Sequence, residues 1–372
     1  MRTYTILHTE SSLGWGGQEH RILREAEIMR QRSHRLLLAC DPRGELYRRA
    51  QAAGFPVRPL TFGGWRNLGA WHGLRSFLKK EAVEILNTHS SLDSWVGLLA
   101  WRSLHPRPRL VRTRHLSTPV KESWPTRYLY QAPAAVITTS QATREMLRRR
   151  LGVPGGRLFA IPTGVDLAEF APREPSQELR TRLKIPPGAF IFGCVAVLRS
   201  WKGHLFLLEA FKMLLSGDAD AFLLLVGEGP YRVVIETRLK DLGLGDRVRL
   251  VGHQEQVAPW LALMDAVVLA SYANEGVPQA LLQALTLARP VAATAAGGIP
   301  EVILPGETGL LCPPEDAPAL ARAMRTLMTD PDLAGKLGRQ GRQLVTANFS
   351  LEQMATRLEA VYDKLAGGGS RE

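Results

Sequence analysis

The sequence predicts an α/β protein made of two Rossmann-like parallel-sheet domains facing each other across a deep interdomain cleft. Three observations predict it. Short apolar runs alternate with helical patterns along the chain, as in parallel strands covered on both faces by helices. The 372 residues, 45% of them apolar, suffice for two domains of ordinary size. The segment 171–188, APREPSQELRTRLKIPPG, has four prolines and few large apolar side chains, and it divides the alternating pattern in two. Two such domains leave a cleft between them, the usual place for a ligand.

In the first domain, residues 1–170, Tyr4–His8 reads as a strand and SSLGWGGQ (11–18) as a glycine-containing loop. A helix follows from Glu19 to about Arg32, with Ile22, Ala26 and Met29 on one face. Arg35–Cys40 is a strand, Glu45–Ala53 a helix ended by Gly54, and Pro56–Arg58 an edge element. Ala70–Lys80 and Trp95–Trp101 are helical. Glu84–Asn87 and Leu110–Thr113 are strands that lead into THSS and RHLS. Ala134–Thr138 is a strand with Ser140 just beyond it, Ala142–Arg150 is a helix, and Phe159 and Ile161 lead into PTGVD.

After the 171–188 linker, residues 189–350 repeat the pattern. Strands are read at Phe190–Val197, Phe222–Val226, Arg247–Val251, Ala266–Ala270, Pro290–Ala293 and Leu310–Cys312. Helices are read at His204–Leu215, Tyr231–Leu242, Ala258–Met264, Gln279–Leu287, Asp316–Met328 and Pro331–Leu344. Ser350 starts a last helix that runs to about Leu365, and residues 367–372 are expected to be a disordered tail.

The net charge of +12 is uneven: residues 1–170 hold 26 Lys/Arg against 13 Asp/Glu. A basic half of this kind suits an anionic membrane surface or a phosphorylated acceptor. Nucleic acid is not expected, because no Arg-rich reading helix, zinc finger or aromatic RNA-binding pattern occurs. Cys40, Cys194 and Cys312 are far apart and match no metal spacing, which points to a reducing compartment. The opening MRTYTILHTE lacks a secretory apolar run, and no run reaches the length of a membrane-spanning helix. The expected place is therefore cytoplasmic, peripheral at the inner face of the cell membrane.

Candidate chemistry clusters in loops that follow strands, where open α/β sheets bind ligands. In the first half these are Gly16 and Gly17, His89, His115 and Ser140. In the second they are Arg199 and Lys202 in LRSWKGH, Gly227 to Gly229, Glu275 and Glu301. Two cations after one strand suit a diphosphate. The Gly16-Gly17 pair is not a dinucleotide fingerprint, since G-x-G-x-x-G is absent there. No D-x-D pair follows a strand and no third ligand accompanies the histidines, so neither a metal nor a cofactor is expected. A phosphate leaving group would then rest on Arg199, Lys202 and backbone N–H groups.

The order and spacing of several short motifs carry a resemblance that spans nearly the whole chain. They are LGWGGQE (13–19), RH (114–115), PTGVD (162–166), LRSWKG (198–203), VGEGP (226–230), NEGVP (274–278), GGIPE (297–301) and GETGLLCPPED (306–316). Together they resemble the retaining GT-B fold glycosyltransferases of family 4, and the stretch RTRHLSTPVKESWPTRYLY is similar to members that build lipopolysaccharide or other cell-surface glycans. The resemblance implies a nucleotide sugar, UDP-sugar favoured, held mainly on the second domain, and a glycan or glycolipid acceptor on the first. It implies that Arg199 and Lys202 hold the diphosphate, with Gly16, Gly17 and Gly227 beside it. His115 would meet the donor sugar, and Glu275 its hydroxyls, helped by the N–H groups of Gly276 and Val277. Glu301 completes the donor side, while His89, Arg114 and Ser140 are acceptor-side candidates. The helix 351–366 would cross back to the first domain.

One position departs from the family pattern. Eight residues after Glu275, where the family has a second glutamate for the ribose hydroxyls, this chain has Gln283. Glutamine still accepts and donates but supplies no charge. Pro278 also lacks an N–H to donate, though it suits a first helical turn. A transferase to a soluble sugar acceptor and a non-catalytic nucleotide-sugar-binding or scaffold protein are the competing readings, the second kept alive by Gln283.

Overall fold

The computed structural model describes residues 2–63, 66–216 and 219–367. The chain forms two compact units, Met1–Thr163 with Leu351–Glu372, and Gly164–Ser350. The first contains β1 (Thr5–Glu10), α1 (Gly17–Gln31), β2 (Arg35–Cys40), α2 (Glu45–Ala52), β3 (Val57–Pro59), α3 (Arg66–Lys80) and β4 (Ile85–Thr88). It continues with α4 (Ser91–Arg102), β5 (Arg109–Arg114), α5 (Trp124–Gln131), β6 (Ala135–Thr138), α6 (Gln141–Leu151) and β7 (Leu158–Ala160). The strands form one parallel sheet in the order β3-β2-β1-β4-β5-β6-β7.

Alternation along these strands sends successive side chains to opposite faces. Ile6, Leu36 and Leu38 join Ile22, Ala26 and Met29 of α1 in one core cluster. Their neighbours Leu7, Leu37 and Ala39 join Leu74 and Leu78 of α3 and Val96 of α4 in another. Each fully buried leucine contributes about 1.5–3 kcal/mol relative to exposure. This two-faced burial is why the strands read as continuous apolar runs rather than as alternating ones.

The second unit contains α7 (Gln177–Arg182), β8 (Phe190–Val195), α8 (His204–Leu215), β9 (Ala221–Val226), α9 (Arg232–Asp241), β10 (Val248–Gly252) and α10 (Ala258–Leu263). Then come β11 (Ala266–Leu269), α11 (Gln279–Thr286), β12 (Val291–Thr294), β13 (Leu310–Cys312), α12 (Ala317–Thr329) and α13 (Pro331–Asn348). Its parallel sheet has the order β10-β9-β8-β11-β12-β13. Asp316 and Asp330 cap α12 and α13 by accepting from Ala319 N at 2.8 Å and Leu333 N at 2.9 Å.

The last helix, α14 (Leu351–Gly367), belongs to the first unit. Met354, Ala355, Leu358, Val361 and Tyr362 pack into the α1 cluster. Glu359 fixes the helix by accepting from both Arg32 Nε at 2.9 Å and Arg32 Nη2 at 2.7 Å. In the expected tail, Gly367 ends this helix and residues 368–372 lie outside the described residues.

The segment 171–188 is not a bare linker, and the first unit ends at Thr163 rather than at residue 170. Ser176 caps α7 by accepting from Leu179 N at 3.2 Å, and Ile185, 4% exposed, is in the second unit's core. Helix α5 was not expected either. Ser123 caps it, and Pro125 sits in its first turn, where a missing N–H costs nothing.

Candidate active site

Both sheets reverse their strand order beside the first strand: between β1 and β4 in the first unit, and between β8 and β11 in the second. Open α/β sheets bind ligands outside the carboxyl ends of the strands at such a reversal. In the second unit the residues after β8 form a 3-10 turn, Ser200–Lys202, and Gly203 then opens α8. Gly203 has φ +69°, and a Cβ there would lie 1.9 Å from the carbonyl oxygen of Ala270. The turn is thus pressed directly onto the end of β11. Gly297, at φ +54°, is pressed onto Glu275 in the same way, with 2.1 Å between its virtual Cβ and Glu275 O.

These approaches bring Lys202 Nζ to 2.6 Å from Glu275 Oε1. Ser271 Oγ donates to the same oxygen at 2.6 Å, and Gly298 N donates to Glu275 O at 3.1 Å. Glu275 is 5% exposed, so its carboxylate is desolvated and held by a cation and a hydroxyl. Tyr272 N donates to Trp201 O at 2.9 Å and ties the two loops together. Beside Lys202 lies buried His204, whose pKa is pushed down to about 4 by burial and by the ammonium. The structure therefore joins Lys202 and Glu275, and adds Ser271, which the sequence reading passed over although it stands four residues before Glu275 in SYANE.

The other second-unit candidates occupy the following places in the fold. Arg199 is exposed and lies over the Trp201 ring at 5.2 Å. Gly227 follows β9, Gly276 and Val277 follow Glu275, and Glu301 ends a 3-10 turn after β12. Gln283 is a partly exposed residue of α11. Among the described residues no group of three His, Cys, Asp or Glu is arranged to hold a metal ion.

In the first unit, β1, β4 and β5 are neighbours, and each delivers one histidine. His8 lies in β1, His89 follows β4, and His115 follows β5. Strands about 4.8 Å apart place the rings in a row, with centroids 5.1 Å apart in both pairs. His8 Nδ1 is 2.9 Å from His89 Nε2, and His89 Nδ1 is 2.8 Å from His115 Nε2. Burial pushes the pKa of His8 down. It pushes His89 and His115 well below the usual range, with the nearby cationic groups adding to the effect.

Next to this row, Asp93 accepts from Thr9 Oγ1, His89 N and Ser90 N, each at 2.8 Å. Glu10, 1% exposed, accepts from Ser12 N at 2.7 Å. Burial, with Asp93 close by, pushes Glu10 up to about 8. The sequence reading missed Glu10 and Asp93; the signal available was the polar run His8, Thr9 and Glu10 that follows the apolar Ile6 and Leu7 in the first strand.

Three first-unit expectations change. His89 is 3% exposed and spends both ring nitrogens on other histidines, so it offers nothing to an acceptor. Ser140 is fully buried and caps α6, accepting from Thr143 N at 3.0 Å. Arg114 donates to Tyr130 Oη at 2.9 Å and to Thr118 O at 2.7 Å, which makes it a loop brace. Gly16 opens α1, and its N–H donates to Glu19 Oε2 at 2.8 Å within the first helix turn. His115 remains partly exposed at the sheet edge.

Residues 15–169 match the family described as Glycosyltransferase Family 4, and residues 175–344 match Glycosyl transferases group 1. The chain is 32% identical to the lipopolysaccharide core biosynthesis mannosyltransferase LpcC of Rhizobium leguminosarum bv. viciae, over 65% of this chain and 68% of that one. It is 28% identical to the N-acetyl-alpha-D-glucosaminyl L-malate synthase of Bacillus anthracis, over 76% of this chain and 75% of that one. The solved structure of Alr3699/HepE from Anabaena in complex with UDP and glucose shares the fold. Its TM-score is 0.83 at 20% identity, covering 97% of this chain and 99% of that one.

Proposed function

The chain belongs to the glycosyltransferases of family 4 and group 1, and from that premise we propose that it transfers a hexose-type sugar from a UDP-sugar to a membrane-associated glycan acceptor, with retention at the anomeric carbon. The observation that carries the donor side is the Lys202–Glu275–Ser271 cluster at the strand-order reversal of the second unit. A buried carboxylate with oriented partners is built to accept from sugar hydroxyls, and a neighbouring ammonium is built to meet a phosphate. A related fold solved with UDP and glucose supports UDP as the nucleotide.

On this reading Arg199 and Lys202 stabilise the departing diphosphate, and the N–H groups of Gly276 and Val277 assist Glu275. His115 meets the transferred sugar, Gly17 and Gly227 approach the diphosphate, and Glu301 and Gln283 complete the donor side. A donor phosphate oxygen takes the acceptor proton, because none of the side chains assigned here serves as a double-displacement nucleophile. The leaving group is stabilised by these cations and amides, so the reaction runs without a metal. The basic first unit takes the acceptor at the cytoplasmic face of the membrane, and the lipopolysaccharide core relative supports that acceptor class. A soluble acceptor is the second reading, favoured by the likeness to an L-malate synthase.

The test is release of UDP from UDP-glucose and UDP-galactose, with lipid-linked glycan and with small soluble acceptors supplied separately. Release that requires the lipid-linked glycan supports the first reading, and release with a soluble acceptor alone supports the second. Nucleotide binding without release under any acceptor would make the chain a binding protein.

A further inference from the structure

The row His8–His89–His115 ends inside the first unit on a buried ion pair. Arg21 and Glu25 are both 0% exposed, and Arg21 Nε lies 3.4 Å from Glu25 Oε2. Arg21 Nη1 also donates to Ile161 O at 2.6 Å, which fixes the guanidinium. His8 Nε2 faces Glu25 Oε1 at 4.0 Å, and neither atom has a hydrogen-bond partner among the described residues. The pair cancels its own charge, so the three imidazoles next to it are neutral, in keeping with their burial.

A neutral imidazole carries one N–H and one lone pair. A row of three therefore runs in one direction or the other, and the buried carboxylate decides which. An ionised carboxylate only accepts. A lone pair on His8 Nε2 would set two acceptors against each other in a desolvated space, whereas an N–H there is attracted to Glu25. With the proton on His8 Nε2, His8 Nδ1 must accept from His89 Nε2. His89 Nδ1 must then accept from His115 Nε2.

We propose that His8 and His89 are positioning residues that lock His115 as its Nε2–H tautomer, so that His115 Nδ1 presents a lone pair to the ligand. This rests on the reading in which His115 meets the transferred sugar. The lone pair accepts from a sugar hydroxyl and rejects a carboxylate at that point, so the row biases the site toward neutral hexoses and against uronic acids. A ring in the other tautomer would offer an N–H and lose that discrimination.

The test is 15N NMR of histidine-labelled wild-type protein at pH 7.5, joined to kinetics of four variants. The proposal expects His115 to show an unprotonated Nδ1 and a protonated Nε2. It expects His8→Phe to give a tautomer mixture at His115 and a kcat about tenfold lower, with the donor KM within about twofold. His8→Asn keeps an acceptor oxygen where Nδ1 stood and should restore both readouts, and His89→Phe should behave as His8→Phe does. A protonated Nδ1 on His115 in the wild type overturns the proposal, and needs no variant to fold. So does an unchanged His115 tautomer and kcat in His8→Phe. His115→Ala separates the two levels: unchanged turnover there overturns the role of His115 at the sugar, while the wild-type tautomer still decides the direction of the row.

Discussion

Lys202 and Glu275 stand 73 residues apart in the chain and 2.6 Å apart in space, joined across the two loops that part at the strand-order reversal of the second unit. The pairing has two consequences. Without a ligand, the ammonium neutralises a carboxylate that is 5% exposed. With a diphosphate present, the same ammonium has a second anion to satisfy, while Ser271 keeps Glu275 oriented. Lys202→Ala and Glu275→Ala should each lower turnover at saturating donor at least about tenfold, or about 1.4 kcal/mol of barrier. Unchanged turnover in either variant would remove it from the proposed site.

Gln283 gives a test of opposite sign. If it meets the ribose hydroxyls, Gln283→Glu adds a charge-assisted bond worth about 1–2 kcal/mol when desolvated. Donor KM should then fall by roughly tenfold with kcat little changed. A KM that does not move places Gln283 away from the nucleotide.

The basic first half predicts salt-sensitive membrane association. Sedimentation with anionic vesicles should be strong at low salt and weak at high salt, since exposed charges are screened. Trp124, 77% exposed and stacked on Tyr128, is an apolar contact available to such a surface. Trp124→Ala should therefore reduce the binding that persists at high salt. Equal sedimentation with neutral and anionic vesicles would contradict the electrostatic part. Among the described residues no helix is long and apolar enough to cross a membrane.

His204 sets an acid limit on stability. Its folded-state pKa, about 4, lies below the ordinary 6.5, so below pH 6.5 the unfolded chain binds a proton that the folded chain does not. Stability is fully present above pH 6.5 and falls as pH falls toward 4, by about 1.4 kcal/mol per pH unit for this one proton. His204→Gln cannot titrate, so denaturant unfolding at pH 7.5 and pH 5 should show the wild type losing more stability than the variant. An equal loss in both would refute the assignment. Glu10 acts with the opposite sign: raised to about 8, it favours the folded state at low pH and loses that contribution as pH rises toward 8.

Much of the fold was legible because parallel strands buried on both faces leave apolar runs. Arg35–Cys40 and His204–Leu215 have the bounds that their pattern predicts. Helices α5 and α7 were hidden because proline and polar content outweighed a serine cap in each case. Lys202 and Glu275 were legible as candidates because each lies in a loop that follows a strand; their contact with each other was not. Nor was the histidine row. It joins residues 81 and 26 positions apart, and only the placement of β4 between β1 and β5 brings them into line. His89, Ser140 and Arg114 looked like ligand groups for the same reason, because the sequence places them at strand ends without showing which partners they already have.

The measurement that bears most directly on the central claim is calorimetric titration of the protein with UDP, GDP and ADP, repeated on Lys202→Ala. The account predicts saturable binding of UDP, weakened at least about tenfold, or about 1.4 kcal/mol, by the substitution. Absence of binding by all three nucleotides, or UDP affinity equal in the two proteins, would contradict it.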